Sequence, residues 1–238
     1  MSPVVILLCG GSGERFKKHD ALMEKPLIKV FGKSQLYWAI KGANLSYRPK
    51  KFIFGVRSEI LPKVLEEIKG FNFEINFEVI DIGNKTNGAA ETAALTLARS
   101  KSLESKDPVI LIDNDCFNLL DLGSNKLSDL YPFVSTTKSI NSQHCFVEFS
   151  GNNKVIKFHE KQIYGDYAIS GNYGFLCSDQ FFDAHNKAKA IGSEFYVSDV
   201  MNSLLTFESI NTVIADRYYS FGTPEEINSV KNSILEFL

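Results

Sequence analysis

The hydrophobic pattern changes period several times between the start of the chain and residue 131. Continuous apolar runs predict buried strands, and stretches with one apolar face predict helices. The predicted strands are 4–9, 51–56, 77–82 and 109–112, and the predicted helices are 34–44, 59–69 and 88–100. Because strands and helices alternate, we expect an α/β fold in which helices cover both faces of a parallel sheet.

From residue 132 onward, strand patterns become more frequent. The predicted strands are 133–137, 145–149, 155–158, 168–176 and 213–215. The predicted helices are 179–190, 195–207 and a last one that runs from Pro224 to the C-terminus with Thr223 as its cap. Neither half contains a repeat, a low-complexity tract or a long linker. We therefore predict one domain, 1–238, built on a mixed, mostly parallel sheet.

Composition narrows the class of protein without selecting a function. The 238 residues are 44% hydrophobic and 23% charged, as in an ordinary soluble enzyme. The net charge of -2 gives no support to a nucleic acid or an anionic membrane as partner. The N-terminus lacks the features of a signal peptide, and no apolar run is long enough to span a membrane. The four cysteines have no paired spacing, which indicates free thiols and a cytoplasmic location.

Three glycines follow the first predicted strand. Gly10, Gly11 and Gly13 allow the backbone to approach a ligand closely, and backbone amides in such a loop can point at an anion. Arg15 and Lys25 add two positive charges next to this loop. A phosphate chain is the ligand that suits these features best, although a plain strand-to-helix turn would also contain glycines.

Two common glycine-rich motifs do not fit this loop. The P-loop requires a glycine followed by Lys and then Ser or Thr, and this pattern is absent. The dinucleotide-binding motif requires a third glycine where this chain has Phe16, which argues against a hydride-transfer fold.

Acidic residues follow the fourth strand. Asp113 and Asp115 flank Asn114 at the point where the apolar run ends. Carboxylates at the carboxyl end of a strand are suited to Mg²⁺, which takes one or two of them together with substrate phosphates. A turn initiated by Asp and Asn side chains is the alternative. Since the glycine loop, Asn87-Gly88 and Asp113 all follow strands, we expect them to converge on one crevice.

Together these segments resemble the nucleotidyltransferases (pyrophosphorylases) that activate sugar phosphates and related phosphorylated metabolites. The family has a similar glycine loop, followed by a Lys-Pro pair that corresponds to Lys25-Pro26. The other matching segments, in the expected order, are 87–95, 113–115, 160–161, 170–175 and 221–226. The resemblance implies a Rossmann-like nucleotide-diphospho-sugar transferase fold with a small acceptor-binding lobe. Residues 1–131 would then bind the nucleotide, and residues 132–238 the acceptor.

The resemblance also implies roles for individual residues. Arg15 and Lys25 would be catalytic, and Asp115, then Asp113, would bind Mg²⁺. The predicted nucleotide-binding residues are Leu8, Gly10, Gly11, Gly13, Asn87, Gly88 and Ala89. The predicted acceptor-binding residues are Glu160, Lys161, Asn172 and Gly174. Spacing alone is equally compatible with a packed alanine-rich helix at 88–100, a solvated Glu160-Lys161 pair and a bulged strand at 170–175.

One departure from the family pattern concerns the metal. Family members often have an Asp two residues before the glycine of the Gly-Thr-Pro motif, and this chain has Ser220 there. Either Asp216 replaces it, or water completes the metal's ligands, or one side of the site alone supplies them.

The resemblance implies transfer of a nucleoside monophosphate from a triphosphate to a phosphorylated small molecule, with release of pyrophosphate. We favour CTP, with a phosphorylated metabolite such as choline phosphate as acceptor and a role in capsule precursor synthesis. UTP or dTTP with a sugar phosphate is the next choice. A glycosyltransferase and a catalytically silent nucleotide-binding protein stay open as alternatives, and so does assembly as a homodimer.

Overall fold

The computed structural model describes residues 2–11, 13, 16, 24–123, 126–190, 192–230 and 233–237. Its strands are β1 Val4–Cys9, β2 Lys29–Val30, β3 Lys33–Ser34, β4 Lys51–Val56, β5 Phe77–Asp81, β6 Val109–Asp113, β7 Cys116–Leu119, β8 Phe133–Lys138, β9 Cys145–Phe149, β10 Val155–Glu160, β11 Tyr167–Phe175, β12 Asn211–Ile214 and β13 Arg217–Ser220. Its helices are α1 Gln35–Tyr47, α2 Leu61–Lys69, α3 Ala89–Arg99, α4 Ser178–Lys187, α5 Val197–Leu204 and α6 Pro224–Ser229. Short 3-10 turns form at Lys25–Leu27, Ser58–Ile60, Leu127–Asp129 and Leu235–Phe237.

A nine-stranded sheet forms the centre of the molecule. The strands β6, β1, β4 and β5 lie side by side and parallel, as expected for buried apolar strands joined by helices. Strand β11 runs antiparallel to β6 and connects this parallel part to β8, β9 and β10. Strand β12 is parallel to β8 and extends the sheet beside it. The sheet is thus mixed and continuous from residues of the first half to residues of the second.

Helices cover both faces of this sheet. Helices α3, α4 and α5 pack on one face through small and branched side chains such as Ala93, Ala184 and Val200. Helices α1 and α2 pack on the other face, where Ile40 and Val64 are fully buried. The predicted fold class is therefore confirmed.

A second, two-stranded sheet was not predicted from the sequence. Strand β7 pairs with β13 in antiparallel register, and this ribbon lies against α1. Phe117 is fully buried there between the rings of Trp38, Tyr219 and Phe237. Strands of four residues are too short to show a clear alternation, which is why the pattern of the sequence does not reveal them. The short hairpin of β2 and β3 was missed for the same reason.

Three predicted helices are longer than the observed ones. The last helix, predicted from Pro224 to the C-terminus, ends at Ser229, because Asn228 and Ser229 favour turns over helix interiors. The helix predicted at 179–190 ends at Lys187, and the one predicted at 195–207 spans only Val197–Leu204. The remaining predicted elements agree with the structure to within a few residues. Among the described residues, no helix is long and apolar enough to cross a membrane.

Candidate functional site

The carboxyl ends of β1 and β6 place the glycine loop beside the acidic segment. The two strands are parallel neighbours in which Leu8 lies opposite Asp113. The side-chain amide of Asn114 donates a hydrogen bond of 2.5 Å to the carbonyl oxygen of Leu8. The middle residue of the acidic segment therefore fixes the end of β1, and Asp113 and Asp115 on either side are left for other partners.

Lys25 joins the glycine loop to Asp115. Its Nζ atom lies 2.8 Å from Oδ2 of Asp115. Gly13 has a positive φ of 69° and lies so close to Lys25 that a Cβ there would come within 3.1 Å of the Cβ of Lys25. Lys25 thus has the glycine loop on one side and a carboxylate on the other. Arg15, the second predicted catalytic cation, lies outside the described residues.

The first two glycines of the loop differ in their surroundings. A Cβ at Gly10 would stand 2.2 Å from Oγ1 of Thr92, so the loop backbone lies directly against α3. Gly11 is exposed and faces the aliphatic part of Lys25. Absence of a side chain is thus a packing requirement at Gly10 and leaves the backbone of Gly11 accessible.

The predicted nucleotide-base segment is attached to the second half of the chain. The carbonyl oxygen of Asn87 accepts a hydrogen bond of 2.7 Å from the amide of Phe195, whose own carbonyl accepts one of 3.0 Å from Ala90. Gly88 has φ of 146°, and a Cβ there would stand 2.3 Å from the carbonyl oxygen of Phe195. Only glycine fits between the two segments. Ala89 follows at the start of α3 and faces the cavity described next.

A cavity of about 170 Å³ opens at this edge of the sheet. It receives residues from α3, from the end of β6, from β10 and β11, and from the segment around α6. Side chains in its wall include Ala89, Asp113, Asp115, Glu160, Tyr173 and Glu226. Four predicted site residues, from three separate segments of the chain, thus line one cavity. A larger groove of about 430 Å³ beside Tyr37 and Lys63 contains none of the predicted site residues.

Burial and mutual repulsion affect the protonation of two carboxyls in this wall. Burial, reinforced by the neighbouring charge of Asp115, raises the pKa of Asp113 to about 7, and Lys25 offsets only part of this. Burial also raises the pKa of Glu160, although the hydroxyl of Ser198 donates a hydrogen bond of 2.7 Å to it. These two carboxyls can therefore hold protons at pH values where exposed carboxylates are ionised.

Glu226 is held as a carboxylate in the same wall. Ser220 Oγ donates a hydrogen bond of 2.9 Å to its Oε2, and Asn141 Nδ2 donates one of 3.1 Å to its Oε1. The ring Nε2 of His144 lies 3.5 Å from the same Oε1. Burial raises the pKa of Glu226, but the hydrogen bonds of His144 and Ser220 outweigh it, and the pKa is lower than usual.

Lys161 contacts a residue of the cavity wall. It has a positive φ of 53°, which turns the chain directly after β10. Its ammonium group lies 4.6 Å from the ring centre of Tyr196, contacts the Tyr196 hydroxyl and stands 3.6 Å from the carboxylate of Glu194. Because Tyr196 lines the cavity, Lys161 brings a positive charge close to the cavity wall.

Two predicted acceptor-binding residues point away from the cavity. Side chains alternate between the faces of a strand, and in β11 it is Gly171 and Tyr173 that face the cavity. Asn172 donates a hydrogen bond of 2.7 Å to the hydroxyl of Tyr47 on the opposite face. A Cβ at Gly174 would stand 2.1 Å from the ring of Phe133. Asn172 and Gly174 therefore face away from this cavity, and their role in acceptor binding stays a prediction.

Asp216 does not replace the carboxylate missing at Ser220. It precedes β13, and its amide bonds to the carbonyl of Leu119, whereas Ser220 at the other end of β13 pairs with Cys116. The Asp216 side chain is exposed and pairs with Arg217 at 3.4 Å. The length of the strand separates it from Asp115.

The wall also contains residues that were not predicted as site residues, among them His144, Gly171, Tyr173, Tyr218 and Glu226. Alternation within β11 would have selected Gly171 and Tyr173, had the register been known. Glu226 lies inside the matched segment 221–226, directly after the Gly-Thr-Pro motif at 222–224 and Glu225. No signal in the sequence marks His144 or Tyr218, because loops and the unpredicted strand β13 carry them.

The donor atoms fit a hard divalent cation held largely by substrate. Across the described part of the chain, no three His, Cys, Asp or Glu side chains gather as ligands for a metal ion. Mg²⁺ commonly needs only one or two carboxylates, since phosphates and water supply the rest. Asp115 and Glu226 have oxygens that border the same space beside Gly222, where a Cβ would come within 3.2 Å of each. A small cradle with carboxylate oxygens is therefore present.

The fold is that of the nucleotidyltransferases. The nucleoside-diphosphate-sugar pyrophosphorylase from Vibrio cholerae RC9 superposes with a TM-score of 0.81 over 96% of this chain and 100% of that chain, at 19% identity. UDP-glucose pyrophosphorylase in complex with UDP-glucose gives 0.79 over 100% of both chains, at 13% identity. The inositol-1-phosphate CTP transferase from T. maritima gives 0.69 over 98% of this chain and 97% of that chain, at 13% identity. Comparison with protein-family models and with curated protein sequences gives no match.

Proposed function

We propose that the chain is a nucleotidyltransferase that transfers a nucleoside monophosphate from a nucleoside triphosphate to a phosphorylated small molecule, and releases pyrophosphate. The observation that carries this proposal is the contact of Lys25 with Asp115 between the glycine loop and the cavity. A cation next to exposed backbone suits a triphosphate, and a carboxylate beside it suits the triphosphate's metal. Of the solved proteins with this fold, two are named as pyrophosphorylases and one as an inositol-1-phosphate CTP transferase, which supports the same class of reaction.

In the proposed reaction, an oxygen of the acceptor phosphate forms a bond to the α-phosphorus of the triphosphate. The bond from that phosphorus to the bridging oxygen breaks, and pyrophosphate leaves with the bonding electron pair. Lys25 would stabilise negative charge on the triphosphate, and the glycine-loop backbone would hold its oxygens. Lys161 would orient the acceptor phosphate beside the cavity wall. Mg²⁺, with Asp115 as ligand, would neutralise charge on the phosphate oxygens when bound.

The identity of the substrates is the finer part of the proposal. We favour CTP, with UTP and dTTP next, and a phosphorylated metabolite or sugar phosphate as acceptor. The inositol-1-phosphate CTP transferase among the solved proteins is compatible with CTP, and the two sugar pyrophosphorylases are compatible with the alternatives. A role in capsule precursor synthesis rests on the sequence resemblance alone.

The decisive experiment is a screen for pyrophosphate release with CTP, UTP, dTTP and GTP against a panel of phosphorylated acceptors in the presence of Mg²⁺. We expect one pair of substrates to give turnover. Transfer of a sugar without pyrophosphate would instead indicate a glycosyltransferase, and binding of a triphosphate without turnover would indicate a silent nucleotide-binding protein.

Replacement of Lys25 tests the observation that carries the proposal. We expect Lys25→Ala to lower kcat by about 100-fold or more, because it removes a charge that contacts the transferring groups. Lys29→Ala is the matched control. Lys29 is exposed, does not line the cavity, and has its Nζ atom 2.7 Å from Oε2 of Glu67. Near-normal turnover of the Lys25 variant would remove this residue from the site.

A further inference from the structure

The space between α6 and the acidic segment is bordered by two carboxylates that are distant in sequence. A Cβ at Gly222 would stand 3.1 Å from Oε2 of Glu226 and 3.2 Å from Oδ2 of Asp115, with Oγ of Ser220 at 3.7 Å. The backbone at Gly222 therefore leaves a gap into which both acids project. An ordinary side chain at this position would fill it.

Local hydrogen bonds hold Glu226 toward this gap. Thr223 caps α6 and accepts a hydrogen bond of 3.2 Å from the amide of Glu226, which fixes the first turn of the helix. Ser220 and Asn141 then donate to the two carboxylate oxygens, one on each. Ser220, at the position where the family resemblance leads us to expect an aspartate, thus orients the carboxylate of Glu226 on helix α6.

The cavity next to the gap contains a polar group that has no partner. Tyr173 is only 7% exposed and lines the same cavity as Asp115 and Glu226. Its hydroxyl makes no hydrogen bond to any residue within the described ranges. Because Tyr173 is more than nine-tenths buried and lines the cavity, its hydroxyl is available as a hydrogen-bonding group to a ligand there. Independently of the two acids, it indicates that the cavity suits a polar ligand.

We propose that Glu226 supplies the second protein ligand of the Mg²⁺ site, together with Asp115, in place of the aspartate that the family has at Ser220. The inference rests on the proposed function, because the same triphosphate would provide the remaining ligands. The second carboxylate would thus come from helix α6 instead of strand β13, and Ser220 on β13 donates a hydrogen bond to it. Two carboxylates plus phosphate oxygens and water are a usual ligand set for Mg²⁺.

Binding of Mn²⁺, followed by electron paramagnetic resonance with and without CTP, tests this ligand without turnover. We expect Glu226→Gln and Asp115→Asn each to weaken Mn²⁺ binding by about tenfold or more. Glu225→Gln is the matched control, because Glu225 is the exposed neighbour on the same helix and the substitution removes the same charge. Wild-type affinity in Glu226→Gln would overturn the assignment.

A rescue variant separates ligation from a structural role. In Glu226→Gln, a second substitution, Ser220→Asp, returns a carboxylate to the gap from the strand side and is expected to restore most of the Mn²⁺ affinity. Failure of Ser220→Asp to restore it, in a variant with unchanged circular dichroism, would also overturn the proposal. In the wild-type background, Ser220→Asp keeps the test informative if Glu226→Gln does not fold, and it is expected to bind Mn²⁺ at least as tightly.

The two proposals fail in different ways. If the wild-type protein releases no pyrophosphate with any substrate, but Glu226→Gln loses Mn²⁺ binding, then Glu226 is a metal ligand and the proposed reaction is rejected. Pyrophosphate release by the wild-type protein, combined with unchanged Mn²⁺ binding in Glu226→Gln, would keep the reaction and reject the ligand.

Discussion

Asp113 and Asp115 are two residues apart and have different environments. Asp115 has the ammonium group of Lys25 at 2.8 Å from its carboxylate. Asp113 lies against Gly171, where a Cβ would come within 3.0 Å of its Oδ2, and among the described residues no cation forms an ion pair with it. The sequence could rank Asp115 first only by resemblance. The difference arises from which side chains the sheet brings next to each acid.

The raised pKa of Asp113 predicts a pH-dependent stability. Its pKa is about 7 in the folded chain and 3.8 for a free Asp, so the unfolded chain loses this proton first as the pH rises. The free energy of unfolding should therefore fall between about pH 4 and 7 and level off above. The free energy of unfolding of Asp113→Asn minus that of wild type should therefore be larger at pH 8 than at pH 4, by on the order of a few kcal/mol.

Urea unfolding at both pH values, without added Mg²⁺, measures this difference. Asp183→Asn, at an exposed position of α4, should show the same difference from wild type at both values. A pH-independent effect of Asp113→Asn would show that the carboxyl titrates normally.

Among the elements, the start of α3 depends on a single glycine. The segment at 87–90 and Phe195 exchange two backbone hydrogen bonds, as two short strands would. The sequence indicated a helix at 88–100 and small residues at its start, and both are present. It could not indicate Phe195 as the partner, because contact between segments so far apart in the chain leaves no local pattern.

Gly88→Ala should therefore be strongly destabilising. The new Cβ would collide with the Phe195 carbonyl, and the φ of 146° is unfavourable for any residue with a side chain. We expect a loss of about 2 kcal/mol or more in the free energy of unfolding, measured by thermal or urea denaturation. Gly151→Ala is the control: Gly151 has open space around it and no positive φ, so its substitution should be neutral. Equal stability of the two variants would contradict the contact.

For the whole molecule, the sequence predicted the parallel half of the sheet and the helices that cover it. It did so because buried parallel strands are continuous apolar runs that periodicity detects. It missed the ribbon of β7 and β13, whose pairing joins residues near 117 to residues near 219. Such a pairing depends on the aromatic cluster around Phe117, which forms only in the folded chain.

Unfolding of the Phe117 cluster should report on the entire chain if the predicted single domain is correct. Trp38, the only tryptophan, is fully buried in this cluster and donates a hydrogen bond of 2.8 Å to the carbonyl of Val30. Its fluorescence and the far-ultraviolet circular dichroism should then change at the same urea concentration. Phe117→Ala should lower both midpoints together, because it should reduce the free energy of unfolding by about 3–5 kcal/mol.

Ile140→Ala, at a position that is 92% exposed, should leave both midpoints unchanged. Separate transitions for the two signals would divide the chain into more than one cooperative unit and contradict the prediction of one domain.

Strand β11 has one face toward the cavity and the other toward packed side chains, and this division has a consequence for its substitutions. Gly171 borders the cavity but has a φ of 91° and close contacts, so any side chain there should lower the melting temperature as well. Tyr173→Phe keeps the buried ring and removes only the hydroxyl that faces the cavity, so it should change catalytic constants more than the melting temperature. Asn172→Ala removes the hydrogen bond to Tyr47 on the opposite face, so it should do the reverse.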